Sequence, residues 1–384
     1  MKVFLFLSVL WIASFSTIIP VFADDAIAPE IEDIYEFNQE EEETIPLTDK
    51  SIIKQWLNVD TLHILEGHNA PIMSLAFSPD SQTLASGGSE NDGSIYVWNV
   101  DSGRRIRRNR IQNGRVTAIA IAAEGELIVS SSDVAGVSLW EWQNRNRKTN
   151  KLWILGHQNN ILSLAITPDS QVLISGGLDG IRVWDLRTMK PLYNLVRFEL
   201  INALAIHPNG YILASGGQDG TIKLWNLRTG EVSTTIDAHT ETIDSLAFTP
   251  DGEILISGSH DRTIKLWRSA TGQLLNTLAG HTGNINAIAV HPSGTFFASG
   301  SRDGIRLWNV ETGELINAFT GHPDWIEALA FSPDGAVLAS GGFDDRIKLW
   351  HPVSPELINY DSQEVRSQYS KPFSFSAIAV QLNN

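Results

Sequence analysis

The segment "SGGQDGTIKLW", residues 215–225, decides the fold of this chain because it joins a tight turn to a β-strand. A near copy, "SGSHDRTIKLW", occupies residues 257–267. In both copies isoleucine and leucine alternate with lysine at a period of two, which is typical of a strand, and the preceding Gly and Asp residues favour a chain reversal. The chain therefore repeats a hairpin.

The repeat has a nearly constant period. The tryptophans that end successive copies are 41 to 44 residues apart, and they are Trp98, Trp140, Trp184, Trp225, Trp267, Trp308 and Trp350. Each copy consists of four short strand-like segments separated by turns such as "PDG" and "RDG". A period of this length is typical of repeat folds, in which each unit buries its apolar faces against its neighbours. The pattern predicts an all-β chain of seven units.

Five copies also carry "GH" or "AH" 27 to 30 residues before their tryptophan. With the turn aspartate and the closing tryptophan, these units resemble WD40 repeats over about residues 61–360, although a literal Trp-Asp pair occurs only at Trp184 and Asp185. The resemblance implies a seven-bladed WD40-type β-propeller with four antiparallel strands per blade, and closure into a ring removes the two exposed ends.

The resemblance also implies hydrogen-bonded tetrads, in which an imidazole joins a turn aspartate to a strand serine and an indole N–H. The five predicted tetrads are His68, Ser86, Asp92 and Trp98; His157, Ser175, Asp179 and Trp184; His239, Ser257, Asp261 and Trp267; His281, Ser299, Asp303 and Trp308; and His322, Ser340, Asp344 and Trp350. Because the Ser-His-Asp trio recurs in a repeat, we interpret it as structural and predict no catalytic residue. No phosphate-binding loop, dinucleotide fingerprint or metal-ligand spacing occurs, so we predict no cofactor and no metal.

Two copies depart from the pattern. Copy two has "QNGRVTAIAI" where the histidine is expected, and in copy four Glu199 or Phe198 replaces the histidine. Either these copies tolerate the loss, or a loosened blade edge there accommodates a ligand or partner.

The first 23 residues resemble an export signal. An apolar run from Val3 to Ile19 precedes Pro20, and Val21 and Ala23 fit a cleavage site. We therefore predict a signal peptide at 1–23 and an exported protein, secreted, periplasmic or in the thylakoid lumen, with no membrane span after cleavage. An uncleaved membrane anchor is the alternative. The chain has no cysteine, so the exported fold would have no disulfide.

The segments flanking the repeats differ from them in composition. Residues 24–50 contain eleven acidic residues and one lysine, which predicts a disordered acidic linker. The propeller is predicted at 51–360, and either the strand 61–65 or the segment "SPELINYD", 354–361, closes the ring. Residues 361–384 form a C-terminal extension that adds an edge strand or docks against the ring. An incomplete eighth blade that includes Trp56 is a further alternative.

Two surfaces are candidate partner-binding sites. In the WD40 family, the residues beside the first apolar position of each inner strand open onto the top of the ring. This correspondence assigns partner-binding roles to Arg115, Leu200, Asn202, Asp244, Asn286, Trp325 and Glu327. A large aromatic at such a position is a common binding residue, although Trp325 could instead pack under a neighbouring loop. The second surface is formed by Arg104, Arg105, Arg107 and Arg108, which either protect a sheet edge or bind an anionic partner or the acidic linker.

These observations favour a non-catalytic, exported scaffold, a monomer that binds a protein or peptide. The alternative is an envelope enzyme or carbohydrate-binding propeller, with Asp244 and Glu327 converging at the central channel. The formal net charge of −16 argues against nucleic acid as a partner.

Overall fold

The computed structural model describes residues 50–89, 92–110, 114–132, 136–141, 152–155, 160–197 and 199–353. These residues form one short helix, α1 (Lys50–Gln55), and 28 strands, which pair into seven four-stranded antiparallel sheets. The prediction of an all-β, seven-bladed propeller with four antiparallel strands per blade is therefore confirmed.

The first four blades follow chain order from the inner to the outer strand. Blade one contains β2 (Ile72–Phe77), β3 (Thr83–Gly88), β4 (Ser94–Asn99) and β5 (Arg105–Arg110). Blade two contains β6 (Val116–Ile121), β7 (Leu127–Ser132), β8 (Gly136–Glu141) and β9 (Leu152–Leu155). Blade three contains β10 (Ile161–Ile166), β11 (Val172–Gly177), β12 (Gly180–Asp185) and β13 (Lys190–Arg197). Blade four contains β14 (Ile201–Ile206), β15 (Ile212–Gly217), β16 (Thr221–Asn226) and β17 (Glu231–Asp237).

The last blade takes its outer strand from the start of the chain. Blade five contains β18 (Ile243–Phe248), β19 (Ile254–Ser259), β20 (Thr263–Arg268) and β21 (Gln273–Ala279). Blade six contains β22 (Ala287–Val290), β23 (Phe296–Ser301), β24 (Gly304–Asn309) and β25 (Leu315–Phe319). Blade seven contains β26 (Ile326–Phe331), β27 (Leu338–Gly342), β28 (Ile347–Pro352) and, as its outer strand, β1 (Val59–Leu65).

The blades form a closed ring. The inner strand of each blade contacts the inner strand of the next, and β26 contacts β2. Strand β1 pairs with β28, so that Leu65 lies opposite Ile347 and Thr61 opposite Trp350. The N-terminal strand therefore supplies the outer strand of blade seven. The competing segment, 354–361, lies outside the described residues.

The core lies between neighbouring blades. In β20, Ile264 and Leu266 are almost fully buried, whereas Lys265 between them is partly exposed. The two apolar side chains belong to the same cluster as Ile285 and Phe297 of the next blade. Burial of each such side chain stabilises the fold by roughly 1.5–3 kcal/mol, and that stabilisation requires the neighbouring blade.

Trp56, which follows α1, packs against the last two blades. Its side chain is 1% exposed, and its ring centroid lies 5.9 Å from that of Phe296 and 5.4 Å from that of Phe331. Asn317 Nδ2 donates hydrogen bonds to the Trp56 and Leu57 carbonyl oxygens at 3.1 and 3.0 Å. The N-terminal segment therefore contributes to the core of the ring before β1 begins.

Candidate partner-binding face

Four of the predicted tetrads have all their contacts within the described residues. In blade five, His239 Nδ1 lies 2.8 Å from Asp261 Oδ2, and His239 Nε2 lies 2.7 Å from Ser257 Oγ. The indole N–H of Trp267 donates to the same serine oxygen at 2.9 Å. Equivalent contacts of 2.6–2.8 Å join the tetrads of His68, His281 and His322. Each buried polar group thus has a partner, as a buried group requires.

Burial also determines the charge of three of these histidines. Desolvation lowers the pKa of His68, His239 and His281, against the opposing effect of the neighbouring aspartate. The imidazoles are therefore neutral near pH 7, with one nitrogen donating to the aspartate and the other accepting from the serine hydroxyl. Such a side chain serves as a brace within the blade.

The remaining blades differ from this arrangement. In blade three, Trp184 Nε1 donates to Ser175 Oγ at 2.8 Å and Asp179 pairs with Arg182, while His157 lies outside the described residues. In blade two the buried Trp140 indole N–H has no hydrogen-bond partner within the part of the chain that the structure describes. In blade four, Glu199 lies at the expected histidine position and forms an ion pair with Lys223.

Two kinds of residue meet at the upper rim of the ring, where the inner strands of blades five and seven begin. One is the residue before the first inner-strand position, Thr242 or Trp325. The other is the turn residue that precedes the tetrad aspartate, His260 or Phe343. The His260 and Phe343 N–H groups donate to the Thr242 and Trp325 carbonyl oxygens at 3.0 and 2.9 Å, which brings the two kinds of residue side by side. The sequence analysis missed these turn residues. The variable residue before each turn aspartate is the sequence signal that could have indicated them.

Polar side chains of neighbouring blades are joined near the central channel. Asn202 Nδ2 donates to Asp244 Oδ1 at 3.0 Å, and His260 pairs with the other carboxylate oxygen of Asp244. Asn286 Nδ2 donates to Glu327 Oε1 at 2.7 Å. Burial raises the pKa of Glu327, and the Asp244 charge acts in the same direction. The structure thus brings together four of the predicted partner-binding residues.

Trp325 separates two shallow cavities on this rim. One cavity, of about 400 Å³, lies between Trp325 and Arg302, whose guanidinium carbon is 5.9 Å from the indole centroid. The other, of about 260 Å³, is lined by Asp244, His260, Asn286, Glu327 and Phe343. The Trp325 side chain is only half-buried, and Phe343 beside it is 46% exposed. We call Trp325, Arg302 and Phe343 the Trp325 surface.

Leu200 and Arg115 do not line either of the two cavities beside Trp325. Leu200 is 41% exposed at the rim of blade four. Arg115 precedes the inner strand of blade two, and its charge counteracts the effect of burial on the pKa of Glu327.

The four predicted arginines are at or beside the outer strand of blade one. Arg105 and Arg108 lie over the Tyr96 ring, with guanidinium carbons 5.2 and 5.3 Å from its centroid. Arg108 also pairs with Asp92 of the first tetrad at 3.2 Å. Arg105 and Arg108 therefore make contacts within their own blade. Arg104 directly precedes β5, and Arg107 lies within it.

The closed ring and its repeated tetrads define a WD40-type β-propeller. The family model described as "Nucleolar protein 10-like, N-terminal domain" matches residues 70–305, and that described as "WD domain, G-beta repeat" matches residues 313–351. The chain belongs to this nucleolar protein 10-like family of WD-repeat propellers.

Several relatives share about a third of the chain. The U5 small nuclear ribonucleoprotein 40 kDa protein of Dictyostelium discoideum is 33% identical over 34% of this chain and 36% of its own length. Transducin beta-like protein 3 of Bos taurus is 30% identical over 35% of this chain and 17% of its own length. Ribosome biogenesis protein YTM1 of Saccharomyces cerevisiae is 28% identical over 35% of this chain and 30% of its own length. Each match thus spans 36% or less of the relative's own length.

The comparisons overturn one prediction. The predicted exported location, whether secreted, periplasmic or in the thylakoid lumen, is wrong. The matching family is described as nucleolar protein 10-like, and the relatives are named as a small nuclear ribonucleoprotein and a ribosome biogenesis protein. The predicted signal peptide at 1–23 and linker at 24–50 fall almost wholly outside the described residues. Among the residues that the structure does describe, no helix has the length and apolarity needed to cross a membrane, and no three His, Asp or Glu side chains are grouped to hold a metal ion.

Proposed function

We propose that this protein is a non-catalytic, monomeric platform that binds a segment of a partner protein at the Trp325 surface. The observation that carries the proposal is the half-buried Trp325 between two cavities, with the exposed Phe343 on one side and Arg302 on the other. Trp and Arg are enriched among the residues that contribute most to protein interfaces. The names of the relatives, which include a ribonucleoprotein component and a ribosome biogenesis protein, also favour a role in a multi-protein assembly.

The rim chemistry indicates which partner residues would fit. Asp244 accepts a hydrogen bond from Asn202, and Glu327 accepts one from Asn286. The two carboxyl groups therefore contribute negative charge to the rim and already have hydrogen-bond partners there. The Trp325 ring and Phe343 offer apolar area. We expect a partner segment with an apolar or aromatic residue beside Trp325 and a basic residue toward the two carboxylates.

A pull-down with matched variants tests the proposal. Wild-type protein, Trp325→Ala and Arg302→Ala are used as baits, and captured species are quantified by mass spectrometry. The control is Tyr211→Ala, because Tyr211 is 48% exposed and is also covered by an arginine, Arg228 at 3.7 Å, but lies at the opposite rim. A species lost with both rim variants and kept with Tyr211→Ala supports the proposal. Equal capture by all four baits contradicts it.

The outer edge of blade one is the second proposed surface. Arg104 precedes β5 and Arg107 lies in it, and the outer edge of β5 pairs with no other strand of the described residues. This edge suits an acidic partner segment. Reversal of both charges to glutamate is expected to remove an acidic partner from the captured set. Retention of every captured species by this variant would rule the arginine edge out.

The second candidate function is action on a carbohydrate. It is favoured by the raised pKa of Glu327 and by its position in one cavity with Asp244, since glycoside hydrolysis uses a protonated and an ionised carboxyl group. Release of reducing sugar from a polysaccharide panel, abolished by Glu327→Gln, would replace the platform proposal with this one.

A further inference from the structure

Blade four has a different residue at the tetrad histidine position and a shorter connection. Counted from the preceding outer strand, Glu199 stands where His239 stands in the next blade. Ile201 follows Glu199 after two residues, whereas Ile243 follows His239 after four. The connection into the inner strand of blade four is therefore two residues shorter than that of blade five, and no imidazole can occupy the usual place.

The other three tetrad residues of blade four, Ser215, Asp219 and Trp225, are present, but only Ser215 and Trp225 are hydrogen-bonded to each other. Trp225 Nε1 donates to Ser215 Oγ at 2.8 Å, as in the complete tetrads. Ser215 is 2% exposed, and its hydroxyl makes no second hydrogen bond within the described residues. In blade five, by contrast, the equivalent Ser257 also contacts His239. The Asp219 carboxylate accepts from the Thr221 N–H and hydroxyl at 3.0 and 2.9 Å and, unlike Asp261, is exposed.

An ion pair occupies only part of the space. Lys223 Nζ lies 2.7 and 2.8 Å from the two carboxylate oxygens of Glu199, whereas the equivalent Lys265 donates to a backbone carbonyl oxygen. A cavity of about 350 Å³ remains, lined by these two residues, Ser215, Asp219 and Leu200 among others. Within the described part of the chain no cation lies at ion-pair distance from Asp219, so the cavity has one excess negative charge.

We propose that this blade-four cavity binds the guanidinium group of an arginine side chain presented by a partner. A guanidinium is planar, always charged and has five N–H donors, so it can donate to the Asp219 carboxylate and to Ser215 Oγ at once. Its aliphatic stem would lie along Leu200 and Ile201 at the rim. The inference relies on the proposed function only for the source of the arginine, because the cavity itself is a property of blade four.

A small probe tests the site without any partner. Methylguanidinium chloride is titrated into the ¹⁵N-labelled full-length protein, and the tryptophan indole N–H signals are followed by NMR, with Trp225→Phe used for assignment. We expect a saturable shift of the Trp225 signal, since Ser215 contacts both the indole and the bound ion. The Trp267 signal of the complete blade-five tetrad should not move, and sodium chloride at equal concentration should have no saturable effect.

Matched variants decide the result. Asp219→Asn should abolish the saturable shift, whereas Asp237→Asn, which removes an exposed carboxylate from the outer strand of the same blade, should retain it. An unchanged Trp267 signal verifies that both variants are folded. Absence of a saturable shift, its retention in Asp219→Asn, or equal binding of neutral imidazole at pH 8 would overturn the inference. Because no partner is present, this failure is distinguishable from loss of capture at Trp325.

Discussion

Replacement of the tetrad aspartate by alanine should cost more in blade five than in blade four. Asp261 accepts hydrogen bonds from Thr263 N–H at 2.9 Å, Thr263 Oγ1 at 2.6 Å and His239 Nδ1 at 2.8 Å. Asp219 makes the equivalent threonine contacts but has no histidine. Comparison of Asp261→Ala with Asp219→Ala therefore cancels these threonine contacts. It leaves the histidine contact and a longer one, from the Thr240 N–H to Asp261 at 3.4 Å.

The difference can be estimated from the burial of His239. The His239 residue is 8% exposed. After Asp261→Ala, its ring N–H therefore has no hydrogen-bond acceptor at a site that water reaches poorly. A buried donor left without a partner costs about 1–3 kcal/mol. For a domain of about 300 residues each kcal/mol corresponds to a fall in Tm of roughly 2 °C.

Differential scanning calorimetry of the two variants and wild type provides the assay. Asp261→Ala should melt at least about 2 °C below Asp219→Ala, at one pH near 8 where the histidines of the unfolded chain are also neutral. Equal melting temperatures would show that the imidazole contact contributes nothing, and the interpretation of the tetrads as internal braces would fail.

Three further predictions concern pH, blade two and the upper rim. Because burial lowers the pKa of His68, His239 and His281, the unfolded chain binds protons below about pH 6.5 that the folded chain does not, so Tm should fall as pH decreases from about 6.5 to 5 at constant ionic strength; a constant Tm over this range contradicts the burial effect. Trp140→Phe should cost about 1 kcal/mol less in urea unfolding than Trp267→Phe, since only the Trp267 N–H gives up a hydrogen bond; equal costs would be inconsistent with this. A Cβ on Gly342 would overlap the Trp325 carbonyl oxygen, so Gly342→Ala should reduce partner capture as Trp325→Ala does, and normal capture would show that the rim tolerates the shift.

The repeated parts of the molecule were accessible from the sequence because each is specified locally. The seven regularly spaced tryptophans indicate the number of blades. The alternation of apolar and polar residues within a strand indicates which side chains are buried, as for Ile264 and Leu266 in β20. Alignment of residues 61–65 with the other outer strands made this segment one of two candidates for the closing strand, and in the structure β1 pairs with β28.

The missed features depend on contacts between blades or between distant segments. Trp56 has no counterpart in the repeats, and its contact with Phe296 joins residues 240 positions apart, which no local pattern indicates. The rim role of Phe343 requires knowledge of how the turn approaches the Trp325 carbonyl oxygen. The Glu199 and Lys223 ion pair depends on a connection into blade four that is two residues shorter, and only the strand register shows this shortening.

Closure of the ring by the N-terminal strand is the claim on which the seven-bladed fold depends, and a designed disulfide tests it directly. The chain has no cysteine, and Asp60 lies opposite His351 in the pairing of β1 with β28. Asp60→Cys with His351→Cys should form an intramolecular disulfide under mild oxidation and raise Tm, whereas Asp60→Cys with Lys348→Cys, which is out of register, should not. Cross-linking of the out-of-register pair, or of neither pair, would contradict the closed seven-bladed ring.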